Sequence, residues 1–156
     1  YFVYSGSPVP ITKKETGQRM VNLFETGGSP REHVLDVPYF EEVSVDFDPI
    51  NDLDPLGIIE GKISSLDPLA RPVLKVSGFL DCQRIGITEG NFIQEIKHRH
   101  GEHCKDEHLE VRDISFVLRD DLYRKFLEKL DESDLDENLK KKSKNLAIKS
   151  MMRVIK

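Results

Sequence analysis

The chain of 156 residues contains no tryptophan, only two cysteines, and no apolar run long enough to cross a membrane. A membrane-spanning helix needs about 20 mostly apolar residues, so the sequence excludes one. The first residues lack the basic start and apolar block of a secretory signal, and no Asn-x-Ser/Thr glycosylation acceptor occurs. These absences, together with the low cysteine count, predict a cytoplasmic or nuclear protein.

Proline and glycine are missing from the last third of the chain. All eight prolines lie at or before Pro72 and all ten glycines at or before Gly101. Because these residues interrupt regular structure, we expect a strand-rich part over residues 1–118, with one helix near 88–100, and a helical part over 119–156. The length predicts a single domain, 1–156. Since the chain opens on Tyr1 without a methionine, we expect it to be part of a larger protein, or processed.

Alternating apolar residues mark the strands. The clearest strand covers residues 42–47, with Val43, Val45 and Phe47 on one face. Residues 15–25 fit a helix or a strand equally. Weaker strands are predicted over residues 1–4, 33–37, 57–63, 73–79 and 108–118.

Three helices are predicted after residue 87. Thr88 caps the first, Asp120 and Asp121 open the second, and Ser133 with Asp134 caps the third. The loops before Phe79 look too short and too rich in proline for crossover helices, which disfavours a doubly wound α/β fold. We therefore expect an α+β fold with a mainly antiparallel sheet of about five or six short strands, covered by the C-terminal helices.

The C-terminal helix is basic and apolar on several sides. Residues 1–137 hold all 28 acidic residues and 16 of the 23 Lys and Arg, a net charge of −12, whereas the last nineteen residues carry +7. Seven of the ten residues from Leu146 to Ile155 are apolar and spread around the helix, which indicates burial on more than one side. The leading hypothesis is a non-enzymatic interaction module that docks through this helix to a protein partner or to the rest of a larger protein. The predicted contact residues are Lys140, Lys141, Lys142, Lys144, Leu146, Ile148, Met151, Met152, Arg153, Val154 and Ile155.

A second interpretation of the basic helix is nucleic-acid binding. Lysines attract phosphates. No aromatic residue stands among Lys140 to Lys144, so base stacking has no support. The same charge pattern also suits the helix macrodipole, which favours cations near the C-terminus.

An acidic constellation gives an enzymatic alternative. Asp48 follows the clearest strand, and Glu60 and Lys62 lie in the strand predicted over 57–63. Asp48, Glu60 and Lys62 resemble the catalytic set of PD-(D/E)xK nucleases, over about fifteen residues. The resemblance implies a metal-dependent nuclease or hydrolase in which the acids hold Mg²⁺ or Mn²⁺ and the lysine stabilises developing charge. A hairpin with a solvated charged face is the competing interpretation.

Histidines crowd one segment of the chain. Four of the five lie between residues 98 and 108, together with one of the two cysteines. Imidazole and thiolate are the ligands that Zn²⁺ prefers, which makes His100, His103, Cys104 and His108 an alternative zinc set. A solvated helix end explains the same residues. No phosphate-binding glycine loop and no nucleophile motif occurs, so the sequence favours a non-enzyme with no cofactor.

Overall fold

The computed structural model describes residues 7–154, with the backbone alone for residues 105–107. This part of the chain forms five strands and six helices. The strands are β1 (Met20–Leu23), β2 (Arg31–Val34), β3 (Tyr39–Phe47), β4 (Ala70–Leu80) and β5 (Cys104–Asp113), and the helices are α1 (Pro55–Ser64), α2 (Cys82–Ile85), α3 (Glu89–His100), α4 (Ser115–Arg119), α5 (Asp121–Asp131) and α6 (Glu137–Val154). The strand predicted over residues 1–4 lies outside the described residues.

The main sheet is parallel, so the prediction of a mainly antiparallel sheet is wrong. Its strand order is β3-β4-β5, and helices alternate with the strands along the chain. Antiparallel pairing is limited, in the described part, to the hairpin of β1 and β2. The error arose because the sequence patterns hid helices α1 and α2, of which α1 connects β3 to β4.

Helix α1 was the first of these hidden helices, and the strand predicted over 57–63 is wrong. Asp54 accepts a hydrogen bond from the amide of Gly57 at 3.0 Å, and Pro55 occupies the first helical turn. Proline is well tolerated there because its missing N–H would have no partner in the helix. The Asp-Pro pair that resembles a loop end is therefore a helix start.

Helix α3 begins where the sequence predicts it. The hydroxyl of Thr88 accepts a hydrogen bond from the amide of Asn91 at 3.2 Å, and the helix ends at His100, one residue before Gly101. Phe92 and Ile96, one turn apart on this helix, are fully buried. The ring of Phe92 meets Phe47 of β3 edge-on at 5.7 Å. Helix α3 thereby closes the apolar face of the sheet.

The larger hydrophobic cluster lies between that face and helices α1 and α3. Alternate residues of the strands point into it, as their period of two requires. Burial of this surface supplies the main stabilisation of the sheet. The buried members of the cluster are Val43, Val45, Phe47, Ile59, Leu74, Val76, Leu80, Cys82, Phe92, Ile96 and Val111.

Strand β5 ends at Asp113, so the strand predicted as far as Leu118 is too long. The Asp113 carboxylate accepts hydrogen bonds from the amide of Ser115 at 2.9 Å, its hydroxyl at 2.7 Å, and the amide of Cys82 at 3.2 Å. Burial alone would raise the pKa of Asp113, but these hydrogen bonds hold it below its usual value. One carboxylate thus turns the chain out of the sheet and ties the start of α4 to α2.

Helices α5 and α6 form a second hydrophobic cluster. Asp120 caps α5, as predicted, by accepting from the amide of Leu122 at 2.8 Å. Helix α6 begins slightly later than Ser133 and Asp134 suggest, because the carboxylate of Asp136 accepts from the amide of Leu139 at 2.8 Å. The buried members of the cluster are Ile114, Val117, Tyr123 and Ile148, with Phe79 of β4 packed against them.

Gly78 allows β3 and β4 to approach each other closely. Its φ is +106°, and a Cβ atom placed there would lie 2.5 Å from both the backbone nitrogen and the oxygen of Phe47. We predict that Gly78→Ala lowers the free energy of unfolding by about 2–4 kcal/mol, from backbone strain and overpacking. Urea unfolding measures the change.

Gly61→Ala is the matched control. Gly61 lies inside α1 with no atom within 4 Å of the added Cβ, so this substitution should stabilise the protein by about 0.5–1 kcal/mol. Equal stability of Gly78→Ala and the unsubstituted protein would contradict the account of this close approach.

Candidate functional site

Helix α6 divides the predicted partner-binding residues between two sides. Ile148 is buried, and Met151 and Met152 pack against the second cluster. Leu146 and Val154 point away from it and are 67% and 84% exposed. Ile155 lies outside the described residues. The helix is therefore apolar on two opposite sides, of which the chain itself covers one.

The lysines of α6 are divided as well. Lys140 donates to the backbone oxygen of Asp131 at 3.2 Å, and Lys144 pairs with the carboxylate of the same residue at 3.6 Å. These two lysines fasten α6 to α5. Lys141 lines a cleft beneath the helix, whereas Lys142 is exposed and does not line it.

That cleft, which we name the α6 cleft, lies between α6 and the polar face of the parallel sheet and has a volume of about 1060 Å³. Parallel sheets are usually apolar on both faces because helices cover both. Here the second face carries Asp46, Ser77 and Glu110 side by side across the three strands. Ser77 donates to Asp46 at 3.0 Å. We call the two carboxylates, with Ser77 between them, the acidic row.

Four residues of α6 face the cleft at a regular spacing of four. Lys141, Asn145, Lys149 and Arg153, the donor row, all line the cleft and can all donate hydrogen bonds. A spacing of four places side chains one above the other on a helix. The charged members, Lys141, Lys149 and Arg153, have no ion-pair partner among the described residues.

Tyr123 of α5 lies at the floor of the cleft. Its side chain is 1% exposed, and its hydroxyl has no hydrogen-bond partner among the described residues. Burial, and secondarily the negative charge of Asp48, raise the pKa of Tyr123 to about 12. A buried hydroxyl without a partner costs about 1–3 kcal/mol, so a folded protein seldom keeps one without a reason.

The structure separates the three residues of the predicted nuclease set. Asp48 lines the α6 cleft, but its carboxylate accepts from the amide of Ile50 at 3.0 Å and from Asn51 at 3.2 Å, within its own turn. Glu60 and Lys62 lie on helix α1 rather than on a strand, and neither lines the cleft. Glu60 pairs with Arg99 at 2.5 Å, and Lys62 donates to the backbone oxygen of Ser44 at 2.7 Å.

The histidine-rich segment is spread over a helix end, a turn and a strand. His100 ends α3, the amide of His103 donates to the backbone oxygen of His100 at 2.8 Å, and Cys104 and His108 belong to β5. Burial lowers the pKa of His100. Among the residues with described side chains, no three of His, Cys, Asp or Glu are close enough to hold a metal ion.

The other cysteine is an inert part of the core. Burial, and then the nearby Asp113 carboxylate, raise the pKa of Cys82 to about 12, so its thiol stays protonated at neutral pH. The thiolate is the nucleophilic form of cysteine. Cys82 therefore offers no nucleophile.

Comparison of the chain with protein-family models, with curated proteins and with solved structures found no match. No helix of the described part has the length and hydropathy needed to span a membrane.

Sequence reasoning did not find the α6 cleft. The spacing of the donor row is visible in the sequence, and so is the alternation that turns Asp46 away from the core. Which face of the sheet α6 covers depends on long-range packing, and no local pattern signals it. No sequence pattern signals that the hydroxyl of Tyr123 lacks a hydrogen-bond partner.

Removal of the Tyr123 hydroxyl should change the stability of the protein at alkaline pH. The unfolded chain releases this proton near pH 10, whereas the folded chain holds it to about pH 12. The folded state is therefore destabilised progressively between pH 10 and 12, by about 2–3 kcal/mol from this group.

We predict that Tyr123→Phe lacks this contribution to the alkaline loss of stability and is at least as stable as the unsubstituted protein at pH 8. Urea unfolding at pH 8 and near pH 11.5 measures both. An identical alkaline loss in the variant would contradict the burial of this hydroxyl.

Proposed function

We propose that this chain is an interaction module, in the cytoplasm or the nucleus, which docks through the outward side of α6. The main support for this proposal is that Leu146 is exposed on a helix whose opposite side is already buried against its own chain. The occupant we propose is an apolar groove with acidic edges on another polypeptide, either a partner protein or a neighbouring domain.

The outward side of α6 has the pattern of a docking helix. Leu139, Leu146 and Val154, the outer stripe, fall within an arc of about 80° at about 100° per residue. All three are exposed. Amphipathic helices bind grooves through apolar residues spaced in this way.

The charges beside the outer stripe favour an acidic partner. Lys142, Lys149 and Arg153 follow one flank of the stripe at helical spacing, and all three are exposed. Acidic residues end at Glu137, at the start of the helix. Complementary charge across an interface raises the association rate and the specificity.

The hairpin of β1 and β2 provides a second observation in favour of docking. All four residues of β2 are exposed, and Phe24, just after β1, is 62% exposed. A two-stranded hairpin alone is marginally stable in water and normally packs against other structure. Met20, Leu23 and Val34 are exposed on the same hairpin. An interaction module with a second contact surface explains these residues.

We predict that Leu146→Asp weakens the complex about tenfold or more, because a buried leucine contributes about 1.5–3 kcal/mol to an interface. A photo-crosslinking residue at position 146 would first capture the partner in cells that express the chain. The captured protein would then be purified, and its binding to the unsubstituted chain and to Leu146→Asp measured by calorimetry. Since Leu146 is exposed, the variant should keep the thermal stability of the parent.

Ile11 is the matched control, since it is an aliphatic residue with 79% exposure outside α6. Crosslinking at position 11 should not capture the same protein, and Ile11→Asp should leave the dissociation constant unchanged. Equal crosslinking at both positions, or a reconstituted complex that tolerates Leu146→Asp, would overturn the proposal.

A further inference from the structure

The α6 cleft has two walls of opposite character. The donor row of α6 forms one wall, and the acidic row of the sheet forms the other. From Lys141 to Arg153 the donor row extends about 18 Å along the helix, at about 1.5 Å per residue. Across the sheet, the acidic row spans two strand spacings, about 10 Å.

Each wall suits a different part of a ligand. Lysine and arginine bind phosphate groups through charge-assisted hydrogen bonds, and successive members of the donor row lie about 6 Å apart along the helix. The carboxylates of Asp46 and Glu110 are acceptors that suit the hydroxyl groups of a sugar, a role that acidic residues fill toward ribose in nucleotide-binding folds.

Apolar surface completes the cleft. Phe79, Leu109 and Met152 line it together with the ring of Tyr123. Binding sites for small molecules are commonly apolar clefts with a few polar groups, and the volume of this cleft slightly exceeds their usual range. A planar base fits against such surface, and the unpartnered Tyr123 hydroxyl at the floor can bind a polar atom of the ligand or of a water that accompanies it.

We propose that the α6 cleft binds a nucleoside polyphosphate. Lys149 and Arg153, about 6 Å apart along the helix, bind its phosphates, and its ribose hydroxyls donate to Asp46 and Glu110. This site also uses Asp46 and Glu110 of the sheet, whereas the docking proposal depends on Leu146, which does not line the cleft. Lys149 and Arg153 belong to both proposals, so Glu110→Gln tests nucleotide binding alone and Leu146→Asp tests docking alone.

Isothermal titration calorimetry with ATP, without added metal, tests the proposal. ATP should bind in a saturable, one-to-one manner, and adenosine and inorganic triphosphate should each bind more weakly, because each reaches only one wall. Lys149→Met and Glu110→Gln should each weaken ATP binding about tenfold or more, since hydrogen bonds to charged groups are the stronger ones. Tyr123→Phe should weaken it while the ligand-free protein keeps its thermal stability.

Lys142→Met is the matched control, because Lys142 lies on the same helix but does not line the cleft. It should bind ATP like the unsubstituted protein. No saturable binding at millimolar ATP would overturn the proposal, and so would equal effects of Lys142→Met and Lys149→Met. Tighter binding of a single-stranded oligonucleotide through the same residues would also overturn it, in favour of a nucleic-acid channel.

Discussion

Three parallel strands can be joined only by connections that return to the same end of the sheet, and this constraint arranges the whole molecule. Helix α1 returns the chain from β3 to β4, and α2 with α3 returns it from β4 to β5. The buried apolar residues of α1 and α3 belong to the same hydrophobic cluster as one face of the sheet. The other face is left for the last helices, which cover it only in part.

That partial cover gives α6 two tasks. Ile148 of α6 and Tyr123 of α5 belong to the second hydrophobic cluster, against which Phe79 of β4 packs. Beyond this contact the sheet carries carboxylates where a parallel sheet usually carries aliphatic residues. Helix α6 can lie over this polar surface because the donor row that faces the sheet is hydrophilic. The α6 cleft is the open space that remains between the helix and the sheet. The same helix keeps Leu146 on its far side, where it is 67% exposed.

Local signals in the sequence predicted the helices with side-chain caps after residue 87, and strand β3. Thr88 and Asp120 cap α3 and α5 as expected, and Val43, Val45 and Phe47 share one buried face. The direction of the strands was predicted wrongly because it depends on α1, whose three isoleucines and two glycines resemble a strand and its turns. The inference about Asp48, Glu60 and Lys62 relied on that same misread segment. The cleft could not be foreseen, since its two walls come from segments more than 30 residues apart that only tertiary packing brings together.

Strands β3 and β5 each have one side without a neighbouring strand in the described chain, apart from a single bridge between Thr16 and Phe40. Unpaired strand borders can template contact with other copies, and natural proteins discourage this with charged side chains. Glu42 and Asp46 on β3, and Glu110 and Arg112 on β5, place such charges at both borders. The hydrophilic face that leaves room beneath α6 therefore also opposes aggregation, because a second copy added at the β3 border would bring carboxylates together.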